Sequence, residues 1–201
     1  MMKGFKQKLG ELIFRRLWVQ WRDGIAAAVV TGSGGYVMIG DSITHNGRWD
    51  LLFPDLPMRN FGINGERSEH LLQRLDPVIA LRPTKLFLLI GTNDLSAAIP
   101  IDEIVGNVEQ LVDRVHAALP DCRVHIQTVM PRARNFAARV IELNQGYAAS
   151  AAAKGMPLID LYTLLDDGSG KIRSDVTNDD LHLTGAGYSI WRKALEPYLR
   201  D

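Results

Sequence analysis

The sequence holds a single cysteine among 201 residues, so it can form no internal disulfide, and nothing in it calls for an oxidising compartment. That residue, Cys122, opens an apolar stretch, the setting of a buried and unreactive thiol. An excess of either charge is missing too. With 23 Lys and Arg against 23 Asp and Glu, no global field draws the chain to nucleic acid. No apolar run comes near the roughly 18 residues that a membrane-spanning helix needs, and the longest, Ile25 to Val30, is short. Groups of His and Cys with metal-ligand spacing are absent, which predicts metal-independent chemistry, and no cofactor is expected.

A basic stretch (Lys3, Lys6, Lys8, Arg15, Arg16) opens the chain, but Glu11, Arg22 and Asp23 break up the apolar residues around it and no A-x-A-like site closes the segment. It does not read as a signal peptide, and the expected location is cytoplasmic. Phe5, Leu9, Leu12, Ile13, Trp18 and Trp21 fall loosely on one helical face. Residues 1–31 are therefore set apart as a basic amphipathic segment. Packing on its own domain is the favoured reading, and peripheral contact with an anionic membrane or with a second subunit would use the same face. Residues 32–201 are expected to form one domain, since 46% hydrophobic content over a chain of 201 residues fills one core and not two. The oligomeric state is left open.

From Tyr36 onward, short apolar runs alternate with longer helical patterns, the pattern of βα units around a parallel sheet. Strands are predicted at Tyr36 to Gly40, Met58 to Asn60, Lys85 to Ile90, Cys122 to Val129 and Pro157 to Asp160. A period of 3.6 residues joins Leu71, Leu72, Leu75, Val78 and Ile79, with Pro77 expected to kink that helix or start a new turn. The same period joins Ile104, Val105, Val108, Leu111, Val112 and Val115. Further helices are predicted over Phe136 to Ala153 and Ala186 to Leu199. Thr31-Gly32-Ser33-Gly34-Gly35 precedes its strand, so it reads as a linker and not as a phosphate loop.

In open parallel sheets, ligands bind beyond the carboxyl ends of the strands. Three predicted strands run into polar, glycine-containing words there: Gly40-Asp41-Ser42-Ile43-Thr44, Asn60-Phe61-Gly62-Ile63-Asn64-Gly65 and Gly91-Thr92-Asn93-Asp94. A fourth word, Asp179-Asp180-Leu181-His182, precedes the last helix. Ser42, where a strand turns toward a helix, suits a nucleophile, although a helix N-cap is the commoner role for such a serine. A serine needs a base, and His182 with Asp179 three positions earlier can supply an oriented imidazole. His45, His70, His116 and His125 have no such partner nearby in sequence. Gly65 and Asn93 could donate hydrogen bonds to an oxyanion, while each taken alone would be read as a turn residue. Thr44 stands where the G-x-S-x-G elbow would need glycine.

The four words in this order resemble the SGNH (GDSL-like) hydrolase family, named for a Ser, Gly, Asn and His in four blocks. They match Ser42 in GDSIT, Gly65 in NFGING, Asn93 in GTND and His182 in DDLH. The resemblance runs from about Tyr36 to the C-terminal helix, and is strongest to compact bacterial members similar to platelet-activating-factor acetylhydrolase subunits. It implies an α/β fold, a three-layer α/β/α sandwich with a flavodoxin-like five-stranded parallel sheet. It implies Ser42, Asp179 and His182 as catalytic triad, and the Ser42 and Gly65 N–H groups with the Asn93 amide as oxyanion hole. Gly62 is then a turn-shaping residue. Asp180 stands where the family's D-G-x-H has glycine, and is expected to face solvent. The implied activity is hydrolysis of a small-molecule carboxylic ester; short acyl groups, acetyl first, are expected because the apolar positions are mostly consumed by the sheet and helices and the length leaves no room for a large lid. Lysophospholipase or thioesterase activity, a nucleotide- or FMN-holding protein and a catalytically silent SGNH-like binding module are the rival readings.

Overall fold

The computed structural model describes residues 34–199, so the expectation for residues 1–31 lies outside the described residues. Five parallel strands, β1 (Tyr36–Gly40), β2 (Met58–Gly62), β3 (Lys85–Leu89), β4 (Arg123–Gln127) and β5 (Leu158–Ile159), lie in the order β2-β1-β3-β4-β5. This is the flavodoxin-like order, in which the chain reverses its direction of growth between β1 and β3. Ser42 follows β1 and so emerges at that switch point.

Alternation along the strands separates two cores. Val37, Ile39, Leu86, Leu88, Val124 and Ile126 point to one face, while Met38, Phe87 and Leu89 point to the other. Over the first face lie α3 (Ser68–Gln73), α4 (Leu75–Ala80), α6 (Ile101–Ala118) and α7 (Ala137–Ala153). In α6 the predicted apolar positions Ile104, Val108, Leu111, Val112 and Val115 are buried, as the 3.6-residue period requires, and Val105 is half-buried at the edge of the same core. The second face is covered by α2 (Trp49–Leu52), α8 (Tyr162–Leu165) and α9 (Gly185–Leu195) through Trp49, Leu165, Trp191 and Leu195. Trp49 and Trp191 meet edge to face at 4.7 Å between centroids, a preferred aromatic geometry. The Trp191 indole also donates to Gln127 Oε1 at 2.6 Å, which gives that buried N–H its acceptor. The result is the three-layer α/β/α arrangement expected.

Where the element ends differ, local chemistry explains it. The helical pattern of residues 71–79 is two helices broken at Arg74, and Pro77 lies in the first turn of α4, where its missing N–H has no intrahelical partner to lose. The last helix ends at Leu195, and a 3-10 turn, Glu196–Tyr198, containing Pro197 replaces the expected run to Leu199. Gly62 departs from its expected role. It ends β2, and a Cβ there would lie 2.3 Å from His45 N and 2.8 Å from Asp41 O. Close approach of two backbones requires glycine at this position, and not the shape of a turn.

Candidate active site

The site is built from the ends of the central strands. β1 pairs with β2 and β3 so that Gly40 lies level with Gly62 and Leu89. The loops after all three strands therefore leave the sheet side by side. Asp41 caps α1 (Ser42–Asn46), its Oδ1 accepting from Ile43 N at 2.9 Å. The cap read as a possible role for Ser42 thus belongs to its neighbour, and Ser42, half-buried as the first helical residue, keeps its hydroxyl for another partner.

That partner is His182. Ser42 Oγ lies 2.9 Å from His182 Nε2, across 140 residues of sequence, and His182 Nδ1 lies 2.7 Å from Asp179 Oδ2. With Nδ1–H donating to the carboxylate, Nε2 is left as acceptor for the serine proton. The turn that carries both residues is held by several bonds. Asp179 Oδ1 accepts from the N–H groups of Leu181 and His182 at 3.1 and 2.7 Å, Thr177 Oγ1 donates to the His182 carbonyl at 2.8 Å, and Thr177 bridges to Leu183. The hydrogen bond to His182, supported by these backbone donors, holds the Asp179 carboxyl down to about 2. It is therefore ionised throughout the working range of an enzyme.

Asp180 does not simply face solvent as expected. Its side chain is 42% exposed, and its carboxylate pairs with Lys171 Nζ at 3.1 Å. It also has φ of +60°, a left-handed conformation that glycine adopts freely and that Asp tolerates better than most residues. The residue that replaces the family's glycine therefore keeps the glycine's backbone shape.

The other two words meet each other. Asn93, in α5 (Thr92–Ser96), donates through Nδ2 to the Glu66 carbonyl at 2.9 Å, leaving the second amide hydrogen free to point elsewhere. Asp94 accepts from Ser68 N at 3.0 Å and Ser68 Oγ at 2.7 Å, tying the same two loops together. Gly65 has φ of +72° with nothing within 4 Å of a built Cβ, so backbone conformation and not space selects glycine there. Beneath these loops a buried ion pair joins Glu66 to Arg74, with Nε to Oε1 at 2.6 Å, and Arg74 Nη2 also donates to the Phe61 carbonyl at 2.7 Å. In sequence these two charges would pass for surface residues. Removing one partner of such a pair costs about 3–5 kcal/mol, because a buried charge is left behind.

Sequence reasoning gives Asp41 no role beyond its place in the motif. It is 1% exposed, and burial first, then the charges of Glu66 and Asp94, raise its carboxyl from 3.8 to about 7 against the opposing Ile43 N–H. The folded chain then holds a proton that the unfolded chain releases near its ordinary value. This contribution to stability is present below about pH 4 and is lost as pH rises to and through 7. The melting temperature of the parent should therefore fall relative to that of Asp41→Asn between pH 5 and pH 8, and parallel curves would show that Asp41 does not titrate there.

The remaining histidines have other settings: His45 Nδ1 lies 3.1 Å from the Gly62 carbonyl, His70 Nε2 lies 3.1 Å from Arg67 Nη2, His116 sits in the last turn of α6, and His125 stacks on Phe87. Among the described residues, no group of three His, Cys, Asp or Glu is placed to hold a metal ion, and no helix is long and apolar enough to cross a membrane.

Comparison with known proteins gives a consistent picture. Residues 38–190 match the model of the GDSL-like Lipase/Acylhydrolase family. The chain is 30% identical over 178 residues to platelet-activating factor acetylhydrolase IB subunit alpha1 of Rattus norvegicus, covering 81% of this chain and 74% of that one. Against subunit alpha2 of Bos taurus it is 28% identical over 152 residues, 70% of this chain, and the match spans 63% of that relative's length. A Streptococcus pneumonia structure, provisionally described as a platelet activating factor, superposes with a TM-score of 0.88 at 26% identity over 99% of both chains. Axe2, an acetylxylan esterase from Geobacillus stearothermophilus, shares the fold with a TM-score of 0.69 at 20% identity, covering 85% of this chain and 96% of that one.

Proposed function

The chain belongs to the GDSL-like lipase/acylhydrolase family, and from that premise we propose that it is a serine esterase working through an acyl-enzyme on Ser42. The observation that carries the reading is the continuous line Ser42 Oγ, His182 Nε2, His182 Nδ1, Asp179 Oδ2, with bonded distances of 2.9 and 2.7 Å. Ser42 Oγ attacks the acyl carbonyl while its proton passes to Nε2. The carbonyl oxygen becomes an oxyanion, which the Ser42 and Gly65 N–H groups and the Asn93 amide are assigned to receive. Collapse of the tetrahedral intermediate breaks the bond to the alcohol oxygen, which leaves with the proton from His182. Water, deprotonated by the same imidazole, then releases the acid and restores Ser42.

Short acyl groups, acetyl first, are the proposed substrates. Two named relatives, the acetylhydrolase subunits and the acetylxylan esterase, act on acetyl groups by their names. Among the described residues the apolar side chains are largely taken up by the two cores, which leaves little apolar surface there for a long acyl chain. Lysophospholipase or thioesterase activity on the same serine is the alternative.

A fluorophosphonate is expected to label the protein once, at Ser42, and a series of p-nitrophenyl esters should be cleaved fastest at acetyl, with Ser42→Ala as the blank. Labelling undiminished in Ser42→Ala would overturn the nucleophile assignment. No labelling of the parent would favour a silent binding module, and a rate that climbs with acyl length would favour the lysophospholipase reading.

A further inference from the structure

We infer that Arg132 is a positioning residue for the oxyanion hole, holding the Asn93 peptide from the side opposite the glycine loop; the inference rests on the reading of Asn93 as an oxyanion donor. Asn93 sits in a helix of five residues, α5, too short to keep its shape by its own hydrogen bonds. On one side α5 is tied to the glycine loop through Asn93 to Glu66 and Asp94 to Ser68. On the other side, Arg132 comes from the loop after β4. Its Nη1 donates to the Thr92 carbonyl at 2.9 Å, to Thr92 Oγ1 at 3.1 Å and to Ser96 Oγ at 2.8 Å. Ser96 Oγ in turn donates to the Thr92 carbonyl at 3.1 Å, which closes a small ring of bonds over the first turn of the helix.

The Thr92 carbonyl belongs to the peptide unit whose nitrogen is that of Asn93. A guanidinium fixed on that oxygen therefore fixes the plane from which the Asn93 side chain departs. The contact is built at a cost that a surface arginine would not bear. Its Nε is buried without a hydrogen-bond partner, and its guanidinium carbon lies 3.8 Å from the centroid of the Phe136 ring, which covers it. Burial works against its charge, and the carboxyl of Asp41 works for it. The far end of α5 is held separately by Arg139, which donates to the carbonyls of Leu95 at 3.2 Å and Ile99 at 2.5 Å. Arg132 is thus placed at the functional end of α5.

The test is steady-state hydrolysis of p-nitrophenyl acetate by Arg132→Gln and Arg132→Lys, each alone and combined with Asn93→Ala, with Ser42→Ala measured beside them. Arg132→Gln is expected to lower kcat by about 10- to 100-fold, the scale of an ångström-sized misplacement, with KM within about two-fold. Arg132→Lys, which keeps the charge and one donor, should recover part of that loss. In the Asn93→Ala background the same Gln substitution should cost less than about three-fold, since the group it positions is gone. Ser96→Ala, at an exposed residue that removes one acceptor of Arg132, should show the same dependence on Asn93 in smaller measure and serves where Arg132→Gln does not fold. Equal losses in both backgrounds, or kcat unchanged, would overturn the inference and leave the esterase reading intact. Undiminished turnover in Ser42→Ala would instead remove the reading of Ser42 as nucleophile.

Discussion

Asp179→Asn is expected to lower kcat by about 10⁴, the cost of the same change in a comparable triad, with little change in melting temperature. Asparagine fills the same volume, and its amide oxygen can still accept from the Leu181 and His182 N–H groups that now bond Oδ1. The loss comes at the other oxygen. An NH2 group facing His182 Nδ1 would favour the tautomer with hydrogen on Nε2, where Ser42 needs an acceptor. Asp180→Asn is the control, because its carboxylate pairs with Lys171 instead of the imidazole and Asn tolerates the same left-handed backbone. It should remain within a few-fold of the parent. Stopped assays of kcat with thermal melts on both variants decide the matter: a large loss in Asp180→Asn with a small one in Asp179→Asn would move the triad acid to position 180.

Asn93→Ala should lower kcat by about 10² to 10³, the usual consequence of removing one oxyanion donor, while KM changes little. Truncation also removes the bond from Asn93 to the Glu66 carbonyl, but the bonds from Ser68 to Asp94 still hold the two loops together. Folding should therefore survive, and the comparison of kcat with KM separates the two roles open to this residue. A raised KM with unchanged kcat would make Asn93 a group that binds the ground state.

The strand-end words are readable because each combines residues poorly suited to a core with a glycine at a turn, directly after an apolar run. That contrast survives in one dimension. The sheet order comes from the family resemblance, and the structure agrees with it. Contacts whose partners are far apart, or whose chemistry is ambiguous, leave no such mark in the sequence. Arg132 and Thr92 are separated by 40 residues, and an arginine in a loop ordinarily reads as solvated. Glu66 and Arg74 are eight apart across a loop and a helix, a spacing with no periodic meaning. Gly62 reads as a turn residue because a glycine needed for φ and a glycine needed for room have the same letter. Asp41 is hidden by the serine beside it, which explains the motif unaided, although a capping carboxylate before a helix is a usable signal.

The left-handed backbone at Asp180 bears on which paths of sequence change are open to this site. Gly62 and Gly65 look like equal constraints, yet their histories can diverge. Every replacement of Gly62 adds a Cβ within 3 Å of backbone atoms of Asp41, Thr44 and His45, so the loop after β1 must shift to admit it. At Gly65 the surroundings are open and only the torsion angle resists, so residues at ease in the left-handed region are admissible intermediates. Position 180 is where this chain differs from the family's glycine, and aspartate is one nucleotide away from two of the glycine codons. There the side chain adds a carboxylate that pairs with Lys171 while the backbone beside Asp179 keeps a left-handed conformation. A glycine held by torsion alone is thus a place where a hydrolase of this type can acquire new charge near its base, while a glycine held by contact stays as it is.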